Sequence, residues 1–277
     1  MSKSLQLSAS EQTASPAVRQ ALAKQRPLIT SLRIGSILVT IALLMYSGAV
    51  SDLSFGELLG GVGSMAELIV KFFPPDFSRW ASYLQATIET IAMGIWGTLL
   101  AVIVAIPLSI LASENVCPPW IVFPVRRLLD AMRAINELVF ALIFIVAVGL
   151  GPFAGVLALF VHTAGILGKL FSEAIESIEP GPVEGIRATG ASKLQEIIFG
   201  VIPQVMPLWT SFTLYRFESN VRSAAVLGIV GAGGIGVALY QSFRSFNYQD
   251  VCAILIILVV TVGLIDTLSA RLRQRLV

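Results

Sequence analysis

Residues 84–113 read LQATIETIAMGIWGTLLAVIVAIPLSILAS, thirty positions with one ionisable side chain, Glu89. A bilayer core about 30 Å thick takes about 20 apolar residues as a helix, because each residue rises about 1.5 Å. Every peptide group in lipid must be bonded within the segment, so a run of this length spans as a helix. Shorter apolar runs follow the same logic at 34–50, 134–150, 153–170 and 251–270. Composition agrees: 56% of the chain is hydrophobic and 13% is Asp, Glu, Lys or Arg, against about 25% charged in a soluble domain. The fold expected is an all-α, polytopic transmembrane bundle.

Residues 203–240 are harder. An apolar piece, 203–215, is followed by Arg216-Phe-Glu218-Ser-Asn-Val-Arg222 and then by a Gly-rich apolar piece, 223–240. Three ionisable groups are costly in lipid but tolerable inside protein or beside water. The region is expected to make one broken or re-entrant crossing, which gives six spans. Basic residues favour that count. With the N-terminus inside, the inner stretches hold thirteen Lys and Arg and the outer ones hold three, as the positive-inside rule requires. Both termini are then expected on the cytoplasmic side. Residues 1–33 form a polar tail without the pattern of a cleaved signal. Residues 34–83 carry the first span and an outer segment, in which 65–73 is expected to form a short surface helix. Residues 84–277 form the core.

Most other classes are excluded early. Nineteen basic and seventeen acidic residues give a net charge of +2, with no basic tract or aromatic platform for nucleic acid. Cys117 and Cys252 form no CxxC pair. His162, the single histidine, has no Cys, Asp or Glu at a ligand spacing; a hydrogen bond within the bundle is the expected role, a proton relay the alternative. No GxxxxGK[ST] loop is present, so ATP would be bound elsewhere. No nucleophile elbow or acid–base pair points to catalysis. Gly231-Ala-Gly233-Gly234-Ile-Gly236 spells GxGxxG, yet it lies in an apolar run without a βαβ unit. Helix packing, or a broken helix beside a pathway, is the better reading of those glycines. Glu218 and Arg222 are an i,i+4 pair if helical. With Arg216 they make either a structural ion cluster or a gate. The same choice applies to Asn136, Glu137 and Glu89.

The non-spanning inner stretch 171–203 is more informative. Glu173, Glu176 and Glu179 are three apart and would share a helical face. Pro180-Gly-Pro182 breaks that helix, a second short helix begins near Val183, and Gly190 divides its two halves. Small residues such as Ala188, Gly190 and Ala191 would let another protein approach closely. The segment is either a structural loop or a docking surface.

The string Glu184-Gly185-Ile-Arg187-Ala188-Thr-Gly190-Ala191, ending after a spacer at Ile202-Pro203, resembles the coupling motif of ABC importer permeases. Gly185 and Ile186 stand where that motif has two alanines. The strings 187–192 and 214–236 resemble the phosphonate-import permease subfamily, and the likeness runs over roughly 84–270. It implies a type I importer permease fold of about six spans with a cytoplasmic coupling helix, in a bacterial inner membrane and in contact with lipid. It implies a homodimer, two ABC ATPase subunits carrying ATP and Mg, and an extracytoplasmic binding protein. Coupling would fall to Glu184, Gly185, Arg187, Ala188, Gly190, Ala191 and Pro203. Pathway or gate candidates are Arg216, Glu218, Arg222, Gly231, Gly233, Gly234 and Gly236. The chain itself needs no cofactor. Phosphonate is the cargo implied, with phosphate, phosphite or another small solute such as an amino acid as alternatives. A secondary transporter is the rival class, but no inverted repeat is visible, and it would leave 184–203 unexplained.

Overall fold

The computed structural model describes residues 34–274; the expected tail, 1–33, lies outside them. The chain divides into two units, Met1–Glu67 and Leu68–Val277. In the first, α1 (Ile34–Val50) is an apolar helix. Its chain reverses at Asp52, in the left-handed region at φ 47°. Then α2 (Phe55–Lys71) begins, with the Ser54 hydroxyl accepting from the Glu57 N–H at 3.1 Å. The expected short helix at 65–73 is thus the end of a 17-residue helix.

The described residues of the second unit form helices joined by short connections, with no strand among them. Its elements are α3 (Trp80–Leu111), α4 (Pro119–Ala134), α5 (Glu137–Val148), α6 (Pro152–Glu176) and α7 (Pro180–Ala188). After these come α8 (Lys193–Val230), α9 (Ile235–Arg244) and α10 (Tyr248–Gln274). α3, α6, α8 and α10 are each long and apolar enough to cross a membrane. α4 and α5 qualify only together, and they meet at 89°. The span expected at 134–150 is therefore not one straight helix. Ile135 is extended, and the Asn136 side chain accepts from the Leu138 N–H at 2.9 Å, which starts α5 afresh. An apolar run hides such a break, because the capping residue is one polar position among many.

α6 is the hub, packed against α3, α4, α5 and α8. Lipid gives no hydrophobic drive between helices, so close packing of small residues must hold them. At Gly165 a Cβ would lie 2.8 Å from the Arg133 backbone nitrogen, and at Gly94 one would lie 2.6 Å from Val221 Cγ2. α4 reaches α6, and α8 reaches α3, as closely as they do because these positions lack side chains. Toward the C-terminal end of α6, Phe171 and Trp209 stack with centroids 4.8 Å apart.

The crossing expected to break within 203–240 does break, but beyond the charged string rather than at it. α8 runs unbroken through Arg216, Glu218 and Arg222. The Glu218 carboxylate is held by Arg222 at 2.9 Å and by Arg273 at 3.3 Å, so the charges support the helix instead of interrupting it. The break comes at 231–234. Two further expectations change in the segment 171–203. Glu173 and Glu176 end α6, but Glu179 is extended and precedes α7, so the three do not share a face. Pro180 opens α7 rather than breaking a helix, as suits a residue without an N–H.

Candidate functional site

Three places gather the polar and glycine residues singled out above. The first is the segment 171–203. α7 has no fully buried residue. Val183 and Ile186 turn toward Gly200, where a Cβ would lie 3.2 Å and 3.4 Å from them. Glu184, Gly185, Arg187 and Ala188 stay exposed. Gly190, at φ 82°, ends the helix in a conformation that other residues adopt at a cost. Arg187 then forks onto Glu196 with two bonds of 3.0 Å, and Lys193 adds a contact at 3.4 Å. Those bonds, and then the Glu196 charge, raise the Arg187 guanidinium above its ordinary pKa. Ser192 and Gln195 form a capping box that starts α8. A π-helical turn, Glu196–Val201, precedes Pro203. The Gly200 carbonyl accepts from the Gln204 side chain at 2.6 Å. Glu196 was missed from sequence because its partner Arg187 lies across a turn, where helical spacing gives no signal.

The second place is the glycine break. Gly231, Gly233 and Gly234 have φ of 91°, 85° and 74°, the left-handed region that suits glycine. The Gly234 N–H donates to Glu89 at 2.7 Å and the Ile235 N–H to Thr90 at 2.8 Å. Two side chains of α3 thus cap α9, with a carboxylate at the positive end of the helix. A Cβ on Gly236 would overlap the Ala225 carbonyl. A cavity of about 880 Å³ opens beside the break, lined by Glu89, Pro152, Gly231, Gly234 and Arg244 among others. This geometry is a helix restart with tight packing, and it offers no dinucleotide fingerprint.

The third place lies deep in the bundle. Asn220 is fully buried; it donates to Thr98 and accepts from Thr163, each at 2.8 Å. Arg216 reaches Thr163 and Asn220 only at 3.5 Å and 3.4 Å, and its buried Nε has no partner. Glu137 accepts from Ser223 at 2.7 Å and faces His162 Nε2 at 3.3 Å. His162 Nδ1 lies 2.8 Å from the Ile135 carbonyl. The structure therefore separates the string 216–222. Arg216 faces this cluster, whereas Glu218 and Arg222 join Arg273 and Asp266 against α10. Sequence distance concealed the link between Glu137, His162 and Ser223.

Residues 105–277 match the model of the family described as binding-protein-dependent transport system inner membrane component. The chain belongs to that family. It is a non-catalytic, multi-pass permease subunit of an ABC importer, a class paired with ATPase subunits. No secondary transporter reading survives this. The permease is 44% identical to the phosphite transport system permease protein PtxC of Stutzerimonas stutzeri over 218 residues, 78% of this chain and 79% of that one. It is 64% identical over 121 residues to a protein named as a cryptic phosphonate transport system permease in Escherichia coli (strain K12), covering 44% of this chain and 99% of that one. Among solved structures, the inward-facing MetNI methionine ABC transporter superposes with a TM-score of 0.63 at 22% identity, over 70% of this permease and 95% of that chain. At that identity the likeness speaks for the fold alone.

Proposed function

We propose that this permease forms the membrane pathway for a small phosphorus oxyanion of the phosphonate or phosphite kind. The observation that carries the proposal is the 44% identity, over about four-fifths of both chains, to a permease named for phosphite transport. In this reading the core, 84–277, crosses the membrane with α1 as a first span, giving six crossings and both termini in the cytoplasm. The residues 34–83 add that span and an outer segment. Two copies pair, an extracytoplasmic binding protein delivers cargo, and two cytoplasmic subunits supply ATP and Mg chemistry.

Coupling falls to the segment 171–203. Exposure of Glu184, Gly185, Arg187 and Ala188 on α7 supports this, as does the fixed turn through Gly190, Ala191 and the Arg187–Glu196 fork. Pro203 fits as the start of regular helix after the π-helical turn. Force on α7 would pass directly into α8, because the fork ties the two together. Pathway or gate roles fall to Arg216, Glu218 and Arg222 on α8, and to Gly231, Gly233, Gly234 and Gly236 at its outer end. The pairing of Glu218 with Arg222 and Arg273 supports a helix-locking role within a gate.

The test is uptake by the complete complex, with its ATPase subunits and binding protein, in proteoliposomes. ATP-dependent uptake of phosphite or methylphosphonate is expected, with phosphate transported less well. A complex that moves none of the three oxyanions would refute the cargo.

A further inference from the structure

The deep polar cluster has a geometry that the coupling role does not use. His162 lies ten residues into the 25-residue helix α6, about 15 Å from one end and about 21 Å from the other at helical rise. The break between α4 and α5 brings Glu137 to the same depth. Ion pairs at such depth are costly unless they face protein or water. Yet the cluster is not sealed within the subunit. The His162 side chain is 14% exposed and that of Glu137 is 19%. The surface where it opens must therefore face a water-filled path or a second copy, not lipid.

The pairing inside the cluster is uneven. Glu137 is well satisfied, by Ser223 at 2.7 Å and by His162 at 3.3 Å. Arg216 is not. Its contacts, to Asn220 and to Thr163 next to His162, are long and neutral, and its Nε is bare. A buried guanidinium with unused donors is a strong site for an oxyanion, since it can make two parallel charge-assisted bonds. A conduit must not hold its cargo tightly, or transport stalls.

We propose that Arg216, His162 and Ser223 form an oxyanion-binding subsite in the membrane, and that the Glu137 carboxylate is its resident stand-in. While cargo is absent Glu137 holds the Ser223 hydroxyl and the His162 ring, and Arg216 keeps spare donors beside them. A passing oxyanion takes those donors, and Glu137 then competes for them and speeds its release. No covalent step is involved. The inference rests on the proposed cargo class and adds the residues that meet it.

The test measures phosphite binding to the nanodisc-embedded complex without binding protein, and phosphite uptake by the full complex. Glu137→Gln keeps an acceptor for Ser223 but removes the competing charge. It is expected to tighten phosphite binding about tenfold while slowing turnover, the gain of one charge-assisted contact. Arg216→Gln is expected to lower uptake about tenfold or more, and Arg216→Lys to retain part of it. Unchanged phosphite affinity in Glu137→Gln would overturn the stand-in role. Full uptake by Arg216→Gln would overturn the subsite. A purely structural cluster would instead lower melting temperature in Glu137→Gln without tightening binding, which also overturns the inference. If the Arg216 variants do not assemble, the Glu137→Gln binding measurement decides alone. Wild-type complex that moves no oxyanion refutes the cargo reading and this inference together. Wild-type uptake with silent variants refutes this inference only.

Discussion

The two ends of α8 are built in opposite ways. At its N-terminal end, the inner one in the proposed topology, the chain enters from α7 through an exposed turn, fixed by a fork between Arg187 and Glu196. At its C-terminal end, the outer one in the proposed topology, the chain leaves through a glycine string, and the Gly234 and Ile235 N–H groups donate to Glu89 and Thr90. One end shows its side chains to solvent. The other end uses a neighbouring helix to bind its own backbone. In the proposed coupling role, an end gripped by another protein has to leave its surface free. An end that sets the position of a helix cannot.

The largest expected effect breaks the outer end. Gly236→Leu would drive a side chain into the Ala225 carbonyl and against Gly228. Overpacking of this kind typically costs about 1–3 kcal/mol and more where backbone blocks it. Loss of folded protein in the membrane is expected, read as yield and melting temperature of the purified complex. A stable, transporting Gly236→Leu protein would show that α9 can move away from α8, and the outer end would not be the fixed one.

Next comes the cap. Glu89→Ala leaves the Gly234 N–H without its acceptor, and losing a helix cap costs about 0.5–2 kcal/mol. Glu89→Gln keeps an acceptor oxygen and is expected to lose less. The comparison of their melting temperatures separates the hydrogen bond from the charge. Equal loss in both variants would put the charge first, with Glu89 acting on the helix end electrostatically.

These residues also mark what a reader of the sequence can and cannot see. Long apolar runs gave away α3, α6 and α10 within a few residues, because apolarity over a bilayer's thickness is a local property. The α4–α5 break was invisible, since its cause is one Asn136 side chain bonded to Leu138. The glycine string was legible as a break or a packing site, and it is both. The position of that break was not legible, because the charges before it are neutralised by Arg273 and Asp266 on α10. Glu89, His162 and Glu137 were visible as odd polar residues in apolar surroundings. Their partners were not, since Gly234 lies 145 positions from Glu89 and Ser223 lies 86 from Glu137. The short helix α7 was foreshadowed by the break at Pro180-Gly-Pro182, but the fork that braces it was not.

The inner end is expected to respond differently from the outer. Breaking its fork with Arg187→Ala leaves the mostly buried Glu196 carboxylate with Lys193 alone. Arg187 itself is largely exposed, so the loss in stability is expected to be modest, roughly 1 kcal/mol or less. The larger expected change is functional. Cargo-stimulated ATPase activity should fall while basal ATPase activity persists, because α7 would no longer be tied to α8. A double-mutant cycle with Glu196→Gln checks this, since the two changes should not add if one contact carries the effect.

The smallest effect on stability is expected at Glu184, and it is the sharpest test of the contrast. Its side chain is exposed on α7, and exposed substitutions of this kind stay within about 0.5 kcal/mol. Glu184→Ala should therefore melt with the wild type yet bind the ATPase subunits less well and transport more slowly. Gly190→Arg adds a backbone cost, because φ 82° strains a residue with a Cβ, and it places a bulky cation beside the same face. Both variants should lose coupled transport, and only the second should lose stability. If both associate, couple and transport normally, α7 is a plain surface turn. The free surface at the inner end of α8 would then have no partner to serve.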